Sequence, residues 1–177
     1  MRKLILYSAV SLDNRIARKN GDVSWLEDPQ FKIRGEDFGY ARFLSGIDTT
    51  LMGYNTYKLV LSFGGKFPYK GKANYVFTRS RTRRRNPAVN FVHTDIPALV
   101  RSLKRQRGKA IWLVGGSQAN TLMLNNSLID RMMLTFVPVV LGAGIPLFSE
   151  SVRPASFVLK NRKIFPNGFV QVTWDRK

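Results

Sequence analysis

The stretch from Ile111 to Phe148 constrains this chain most. It opens IWLVGGSQAN and closes LIDRMMLTFVPVVLGAGIPLF. Ile111, Trp112, Leu113 and Val114 are large or β-branched apolar residues, Gly115 and Gly116 follow directly, and Ser117 stands where it can cap a helix bearing Ala119, Leu122 and Met123 on one side. That order predicts a strand, a diglycine turn and a helix. Two residues without Cβ let the backbone come close to a ligand, and the first N–H groups of the next helix point at it with the positive end of the helix dipole behind them. The group such a junction suits is a phosphate. The same dipeptide also makes plain tight turns, so the segment by itself leaves both readings open.

The later part of this stretch, Met132 to Phe148, runs seventeen residues without a charge. That is the short end of what spans a bilayer, but Pro138, Gly142, Gly144 and Pro146 interrupt it, and a broken helix in lipid would strand polar backbone groups. A buried strand leading into a glycine-rich loop is the expectation, with no membrane partner. The basic start Met1-Arg2-Lys3 resembles the head of a signal peptide, yet the apolar run behind it stops at Ser8 and Asp13 follows soon after, so it reads as a first strand. With 177 residues and 44% apolar content, one domain with a substantial core is expected. The chain has no cysteine, which excludes disulfides, thiolate metal sites and a cysteine nucleophile and agrees with a cytoplasmic location.

Strands are expected at Lys3–Val10, Thr49–Gly53, Asn74–Thr78, Val89–His93, Ala110–Val114, Arg131–Val140, Ser156–Lys163 and Phe169–Asp175. Besides the helix after the diglycine, the clearest helix is Ile96–Arg107: Ile96, Leu99, Val100 and Leu103 form one stripe, Asp95 can cap the start, Pro97 suits the first turn and Gly108 can end it. Strands alternating with short helices predict parallel pairing with helices on both faces. The two last strands, joined around Pro166-Asn167-Gly168, predict an antiparallel hairpin. The expected class is α/β, a mixed sheet between helices.

The chain carries 29 basic against 11 acidic residues, a net charge of +18. Arg79, Arg81, Arg83, Arg84 and Arg85 crowd one segment, and Arg101, Lys104, Arg105, Arg107 and Lys109 another, so polyanions would be attracted. RTRRRNP lacks an interleaved aromatic on which a base could stack, and no nucleic-acid motif surrounds it. A solvated basic surface that draws in phosphorylated small molecules is the simpler account, with no specific nucleic-acid partner. His93 is the single histidine, which leaves no histidine cluster for a metal and makes a Ser-His-Asp hydrolase depend on it alone. The GGSQ turn lacks the lysine of a Walker loop. Hydride chemistry with a borrowed cofactor fits these absences, since it asks of the protein mainly positioning and electrostatics.

The segments SAVSLDNRIA (Ser8–Ala17), Trp25, LMGYNTY (Leu51–Tyr57), YVFTRS (Tyr75–Ser80), LVGGSQ (Leu113–Gln118) and PVVLGAGIPLF (Pro138–Phe148), in this order, resemble the dihydrofolate reductase superfamily. Within it the chain is most similar to the reductase domain of riboflavin biosynthesis, the C-terminal half of the bifunctional deaminase-reductase, and its stand-alone relatives. The resemblance implies a three-layer αβα fold with a central, mostly parallel mixed sheet and a C-terminal antiparallel hairpin. It implies NADPH as cofactor, across the carboxyl ends of central strands. The Gly115–Gly116 peptide would be cis, with Val114 before it. Ser117, Gln118 and Ala119 would offer N–H groups to the pyrophosphate, and Gly53, Asn55 and Thr56 would meet the phosphates from the other side. Thr78, Arg79 and Ser80 would suit the 2′-phosphate.

Ala9 and Ile16 would touch the nicotinamide amide, with the loop to Trp25 closing over it. Asp37 precedes the helix before LMGYNTY at the spacing of the substrate carboxylate in dihydrofolate reductases, where that residue binds the pteridine and supports proton delivery; an acidic residue there is also ordinary helix capping. Tyr40, Tyr57 and Phe148 would wall the substrate pocket. Two departures stand out. Tyr54 replaces the arginine of the usual Met-Gly-Arg-X-Thr, and Asn14 replaces a glycine, an exchange asparagine permits because it accepts positive φ.

The resemblance therefore implies an NADPH-dependent reductase of a pyrimidine- or pteridine-like small molecule, most similar to the 5-amino-6-ribosylamino-uracil phosphate reductase of riboflavin synthesis. Alternatives are dihydrofolate reduction and a basic, non-catalytic nucleotide or nucleic-acid binding protein on the same fold. A phosphorylated substrate and a homodimer are the implied partners. No deaminase motif, His-X-Glu with Pro-Cys-X-X-Cys, occurs in the chain.

Overall fold

A computed structural model describes residues 1–64, 67–80 and 86–177. In chain order the elements are β1 (Leu4–Ser11), β2 (Arg15–Arg18), α1 (Tyr40–Ser45), β3 (Ile47–Gly53), α2 (Tyr54–Ser62), β4 (Ala73–Phe77), β5 (Asn90–Val92), α3 (Ile96–Arg105), β6 (Ala110–Gly115), α4 (Ser117–Asn125), β7 (Arg131–Val137), β8 (Gly144–Pro146), β9 (Phe157–Ile164) and β10 (Val170–Arg176). Two short 3-10 turns, Ser24–Glu27 and Pro29–Phe31, lie between β2 and α1.

The main sheet runs β5-β4-β3-β6-β1-β7-β10-β9, and β2 pairs with β8 in a separate two-stranded ribbon. Every neighbouring pair in the main sheet is parallel except β10 with β7 and β10 with β9. Its central strands read as nearly continuous apolar runs because both faces are covered. On one face Leu4, Leu6, Val10, Leu51, Ile111 and Leu113 pack against Val100 and Leu103 of α3 and Ala119, Met123 and Leu124 of α4. On the other, Met52, Val76 and Trp112 pack against Phe43 of α1 and Tyr57 and Val60 of α2. The expected three-layer α/β architecture is present. The hairpin forms at Pro166-Asn167-Gly168, where Gly168 takes φ 83° and Phe165 N–H bonds to Phe169 O at 2.9 Å.

The amino ends of the parallel strands are stapled by charge. Arg2 donates to Lys109 O at 2.6 Å and to Thr49 Oγ1 at 2.7 Å, and it pairs with Asp48. Lys104 of α3, 5% exposed, donates to Leu128 O at 2.9 Å and to Asp130 at 2.8 Å, while the other oxygen of Asp130 accepts Leu4 N–H at 2.7 Å. Arg131 holds Asp175 through two bonds of 2.6 and 2.8 Å.

Three local expectations need correction. The strand predicted to reach Val140 ends at Val137, because Pro138 has no N–H for the ladder and Val139 N–H turns back onto Val137 O at 2.7 Å. Asp95 does not cap α3 with its side chain: its own backbone is left-handed, φ 46°, not the extended conformation from which a capping side chain reaches the first turn. That helix ends at Arg105, short of Arg107, as Gln106 becomes extended.

Candidate functional site

Three strand-to-helix turns meet at the carboxyl edge of the sheet. Register sets this up: Met52 of β3 pairs with Gly115 of β6, and Gly53 pairs with Phe77 of β4. The Gly115–Gly116 peptide is cis. A Cβ on Gly116 would lie 3.2 Å from Thr56 Oγ1 and 3.9 Å from Ile16 Cδ1, and one on Gly53 would lie 3.9 Å from Gly115 O. Ile16, Gly53, Thr56, Gly115 and Gly116 therefore surround one point. Gly115, at φ 114°, holds a backbone conformation that side chains other than hydrogen disfavour.

The helix α4 starts at Ser117 with Gly116 as its N-cap and no side-chain cap bond, so the capping expected of Ser117 is not made. The serine lies one position too far along: already inside the first turn, its Oγ is buried without a partner. Asn120 N–H to Gly116 O, at 2.9 Å, is the first helical bond. The N–H groups of Ser117, Gln118 and Ala119 precede it and have no acceptor within the helix. The Ala119 side chain is buried in the core, so that residue can contribute only its backbone, whereas Gln118 and Asn55 are exposed and Val114 is half-buried. An unpaired hydroxyl, three aimed N–H groups and a surface that any Cβ would fill make a donor set for an anionic oxygen.

At the third turn Thr78 N–H bonds to Val92 O at 3.0 Å, and Thr78 Oγ1 accepts Ser80 N–H at 3.2 Å. The Thr78 hydroxyl is thus folded into its own turn, and Arg79 projects exposed from the tip. Arg81, Arg83, Arg84 and Arg85 lie outside the described residues. Tyr54, in place of the family arginine, stands 5.9 Å from the Tyr57 ring and 6.4 Å from Phe91, with Lys58 Nζ 5.7 Å from its ring centroid.

Asp37 and Tyr40, expected on the substrate side, lie on the face covered by α1. Asp37 accepts Gly39 N–H and Ala41 N–H, each at 2.8 Å, and so caps α1. These bonds, that from Ala41 foremost, hold its carboxyl below the usual carboxylate range. An exposed, ionised carboxylate suits accepting an N–H from a ring better than supplying a proton. Beside it is Tyr7 of β1, stacked on Phe43 at 4.1 Å and 6.3 Å from the Tyr40 ring. Burial pushes the Tyr7 phenol up to about 12, with Tyr40 and Asp37 adding to the effect. Gln171 of β10 donates to Thr135 Oγ1 at 3.1 Å and to Phe38 O at 3.2 Å. Thr135 is the register partner of Ala9, so Ala9, Asp37 and Tyr40 share this region.

Two expected pocket walls, Tyr57 and Phe148, are elsewhere. Tyr57 is 6% exposed, with its hydroxyl accepting Asn86 Nδ2 at 2.7 Å, which makes it part of the core under α2. Trp25, 5% exposed, is packed with Phe31, Val137, Phe165 and Phe169 in the cluster on which Ala9 and Phe38 also lie, and its Nε1 has no hydrogen-bond partner. Phe148 belongs to the opposite face of the sheet, where it lines a cavity of about 480 Å³ with Met132, Leu134, Phe157 and Trp174. Sequence reasoning missed Tyr7, Phe38, Thr135 and Gln171. A signal existed for one of them, since Thr135 is a polar residue between the apolar residues Met132–Leu134 and Phe136–Val137 of β7. Among the described residues no group of three or more His, Asp or Glu could hold a metal, and no helix is long and apolar enough to cross a membrane.

The RibD C-terminal domain family profile matches residues 2–170. The chain is 38% identical over 164 residues to the uncharacterized protein YwjB of Bacillus subtilis strain 168, covering 93% of this chain and 92% of that one. With the uncharacterized protein YyaP of the same organism it shares 35% identity over 187 residues, covering 98% and 94%. Among solved structures, a Shewanella sp. PV-4 protein provisionally assigned to riboflavin biosynthesis superposes with a TM-score of 0.85 at 30% identity, over 99% of both chains. The diaminohydroxyphosphoribosylaminopyrimidine deaminase/5-amino-6-(5-phosphoribosylamino)uracil reductase of Thermotoga maritima superposes with a TM-score of 0.71 at 19% identity, over 99% of this chain and 57% of that one, a likeness of fold.

Proposed function

The chain belongs to the RibD C-terminal domain family, and on that premise we propose that it is an NADPH-dependent reductase transferring hydride to a pyrimidine- or pteridine-like small molecule. One observation carries the reading. At the point where the turns after β3 and β6 meet Ile16, the buried Ser117 Oγ has no partner and the leading N–H groups of α4 have no helical acceptor. Buried polar groups are almost always paired, so this set asks for an oxygen-rich ligand. The residues present fit a dinucleotide pyrophosphate: Ser117, Gln118 and Ala119 would hold it from one side and Gly53 and Thr56 from the other, with Arg79 beside a 2′-phosphate.

A reduced nicotinamide supplies the hydride when bound. The chain itself has to orient the acceptor ring and keep water from it. Ala9 presents a small side chain next to Thr135, leaving room for a flat ring over β1. Asp37, held ionised by its own helix, accepts a ring N–H and so fixes the acceptor's orientation. Tyr7, which keeps its proton at neutral pH, can donate a hydrogen bond to a ring carbonyl, while Phe43, Tyr40 and Trp112 surround its ring and exclude solvent. A second copy of the chain is expected on the exposed outer strand, where Leu159 is 51% and Ile164 72% exposed.

The test is a titration of purified protein with NADPH and NADH, followed by a screen of phosphorylated pyrimidines and dihydrofolate for loss of reduced-nicotinamide absorbance. NADPH binding and turnover with a pyrimidine are expected. A folded protein that binds neither dinucleotide would refute the proposal. Sedimentation velocity reads the second copy, and a monomer throughout the micromolar range would remove it.

A further inference from the structure

The strand β1 lies between β6 and β7 in the middle of the main sheet, and its Leu4, Leu6, Val10 and Ser11 are wholly buried. Its centre is not. Tyr7, Ser8 and Ala9 are three successive half-exposed residues, so the sheet is open there. Side chains alternate along a strand, which puts Tyr7 and Ala9 on one face about 7 Å apart. The phenol therefore stands beside the place where a flat acceptor ring would lie over Ala9.

Its surroundings fix its direction. The Tyr7 ring stacks on Phe43 at 4.1 Å with 14° between the planes and meets Trp112 edge-on at 6.1 Å, while Trp112 Nε1 donates to Tyr7 O at 3.2 Å. Gln171 stands within hydrogen-bonding reach of the hydroxyl, and the Asp37 carboxylate is near enough to act on it through charge. The Gln171 amide is itself held by Phe38 O and Thr135 Oγ1.

Reduction needs a proton as well as a hydride, and the groups around this opening narrow its source. The Asp37 carboxyl, kept below the usual range by the Ala41 and Gly39 N–H bonds, has no proton to give at neutral pH. Lys163 is turned to Glu36, 3.8 Å away, and lies over the Phe165 ring at 4.2 Å. Tyr69 donates its hydroxyl to Tyr40, and burial pushes both phenols up. Trp112 of β6 and Met133 of β7, the register partner of Tyr7, bring no ionisable group against it. His93, the single histidine, follows β5 at the far edge of the sheet. Tyr7 is left, a phenol that burial foremost keeps protonated.

We propose that Tyr7 is the proton donor of the reduction, a catalytic residue whose hydroxyl touches the heteroatom of the double bond being reduced. The assignment rests on the reductase reading. The carbon of the acceptor's C=N or C=O bond gains a C–H bond from the hydride of the reduced nicotinamide, which is thereby oxidised. The π pair moves to the nitrogen or oxygen, and that atom takes the proton as the Tyr7 O–H bond breaks. The phenolate then regains a proton from solvent past Tyr40, which is half-exposed and lies 6.3 Å away, ring centroid to ring centroid. A phenol this weakly acidic releases its proton only as the hydride arrives and the heteroatom becomes the stronger base, so the two transfers are coupled.

Steady-state kinetics of the whole chain with NADPH and either 5-amino-6-(5-phosphoribosylamino)uracil or dihydrofolate test this against Tyr7→Phe, which keeps the stacked ring and loses only the hydroxyl. The variant's kcat should fall at least about 100-fold, the lower end for general acid catalysis, with KM changed no more than about tenfold. The pH profile separates this from a structural role. With a donor protonated up to about 12, parental kcat should be level over about pH 6–9, whereas in Tyr7→Phe, supplied by hydronium, it should fall about tenfold per pH unit. Fluorinating the ring of Tyr7 alone acidifies the phenol and should bring the alkaline fall in kcat to lower pH. The same acceptors, titrated calorimetrically without cofactor, should bind Tyr7→Phe about two- to tenfold more weakly, the loss of one hydrogen bond. Parental kcat in folded Tyr7→Phe, a lowered kcat with a level profile, a profile unmoved by fluorination, or unchanged acceptor binding overturns the donor. A parent that oxidises NADPH with neither acceptor removes the reductase reading of such rings and the donor with it, whereas turnover that survives in Tyr7→Phe removes the donor alone.

Discussion

The two edges of the main sheet are built on opposite terms. At the amino edge, where β1, β3, β6 and β7 begin, charged side chains are consumed by structure: Arg2 by Asp48, Thr49 and Lys109, Lys104 by Asp130 and Leu128, Arg131 by Asp175. At the carboxyl edge and just beyond it, Ser117 Oγ, Asn120 Oδ1, His93 Nδ1 and Trp25 Nε1 are buried without a hydrogen-bond partner, and Asp13 Oδ2 and Arg15 Nε meet only as an ion pair at 3.7 Å, with Arg176 the exception at the other edge. One edge satisfies its polar groups internally and holds the strands in register. The other leaves donors and acceptors open, which costs stability and is worth retaining only where a ligand completes them. Substitutions at the amino edge should therefore act on folding, and those at the carboxyl edge on binding.

The largest effect expected is at Gly116. Its backbone, φ −72° and ψ −164°, is one any residue can adopt, so a substitution there is decided by space alone. A valine Cβ would already be 3.2 Å from Thr56 Oγ1, and its methyl groups would fill the point where the turns meet. Gly116→Val should cost about 1–3 kcal/mol of stability through overpacking while removing measurable NADPH binding, checked by urea denaturation and fluorescence titration. A folded variant that binds NADPH like the parent would break the contrast between the edges.

The converse substitution is Asp130→Ala. It strands the Lys104 ammonium, whose side chain is 6% exposed, and frees Leu4 N–H. Breaking a buried pair in this way costs about 3–5 kcal/mol, and the partial exposure of Asp130 points to the lower end. Lys104→Met should cost less, because it removes the buried charge and keeps the apolar stem packed on the core. In both variants NADPH affinity is expected to stay at the parent value in native buffer. A large loss of affinity in a variant that remains folded would show that the edges are coupled.

How much of this contrast could be read from the sequence follows the same division. The diglycine before α4, the alternation of strands and helices, and the Pro166-Asn167-Gly168 hairpin depend on local backbone chemistry and were legible. What failed depended on which face a side chain takes. Tyr57 looks like a pocket aromatic in the sequence but is absorbed into the core, its hydroxyl bonded to Asn86, a neighbour distant along the chain. Phe148 follows β8, a strand of three residues whose pairing with β2 no local pattern announces. Asp37 precedes α1 as the sequence leads one to expect, yet the two hydrogen bonds from the Gly39 and Ala41 N–H groups that favour its ionised form are geometry and not composition.

A smaller effect sharpens the carboxyl edge itself. Arg79 is exposed at the tip of the β4 turn, where Thr78 Oγ1 accepts Ser80 N–H, and its cation is the charge on that turn that matches a 2′-phosphate. Arg79→Ala should weaken NADPH about tenfold, within the roughly 1.5–3 kcal/mol of a hydrogen bond to a charged group, and should leave NADH nearly unchanged. Equal losses for both cofactors would assign the discrimination to another residue.

The smallest effect compares one carboxylate from each edge. The bidentate Arg131 bond, with Lys3 nearby, lowers Asp175 to about 2, and the Ala41 and Gly39 N–H groups lower Asp37. A depressed carboxyl pKa means that the native state favours the ionised form. The stabilisation is then complete above the unfolded value of about 3.9 and is lost as pH falls through the folded one. Between about pH 5 and pH 2, Asp175→Asn should therefore flatten the dependence of stability on pH, and Asp37→Asn should flatten it less, since that carboxylate is fully exposed. Turnover at neutral pH should respond in the reverse order: Asp37→Asn exchanges an ionised acceptor for a neutral amide at the proposed ring contact, whereas Asp175 lies at the far edge. Chemical denaturation at a series of pH values, paired with kcat and KM for each variant, separates the two. If Asp175→Asn lowered kcat as much as Asp37→Asn, neither carboxylate could be assigned to substrate orientation, and Asp37 would revert to a helix cap.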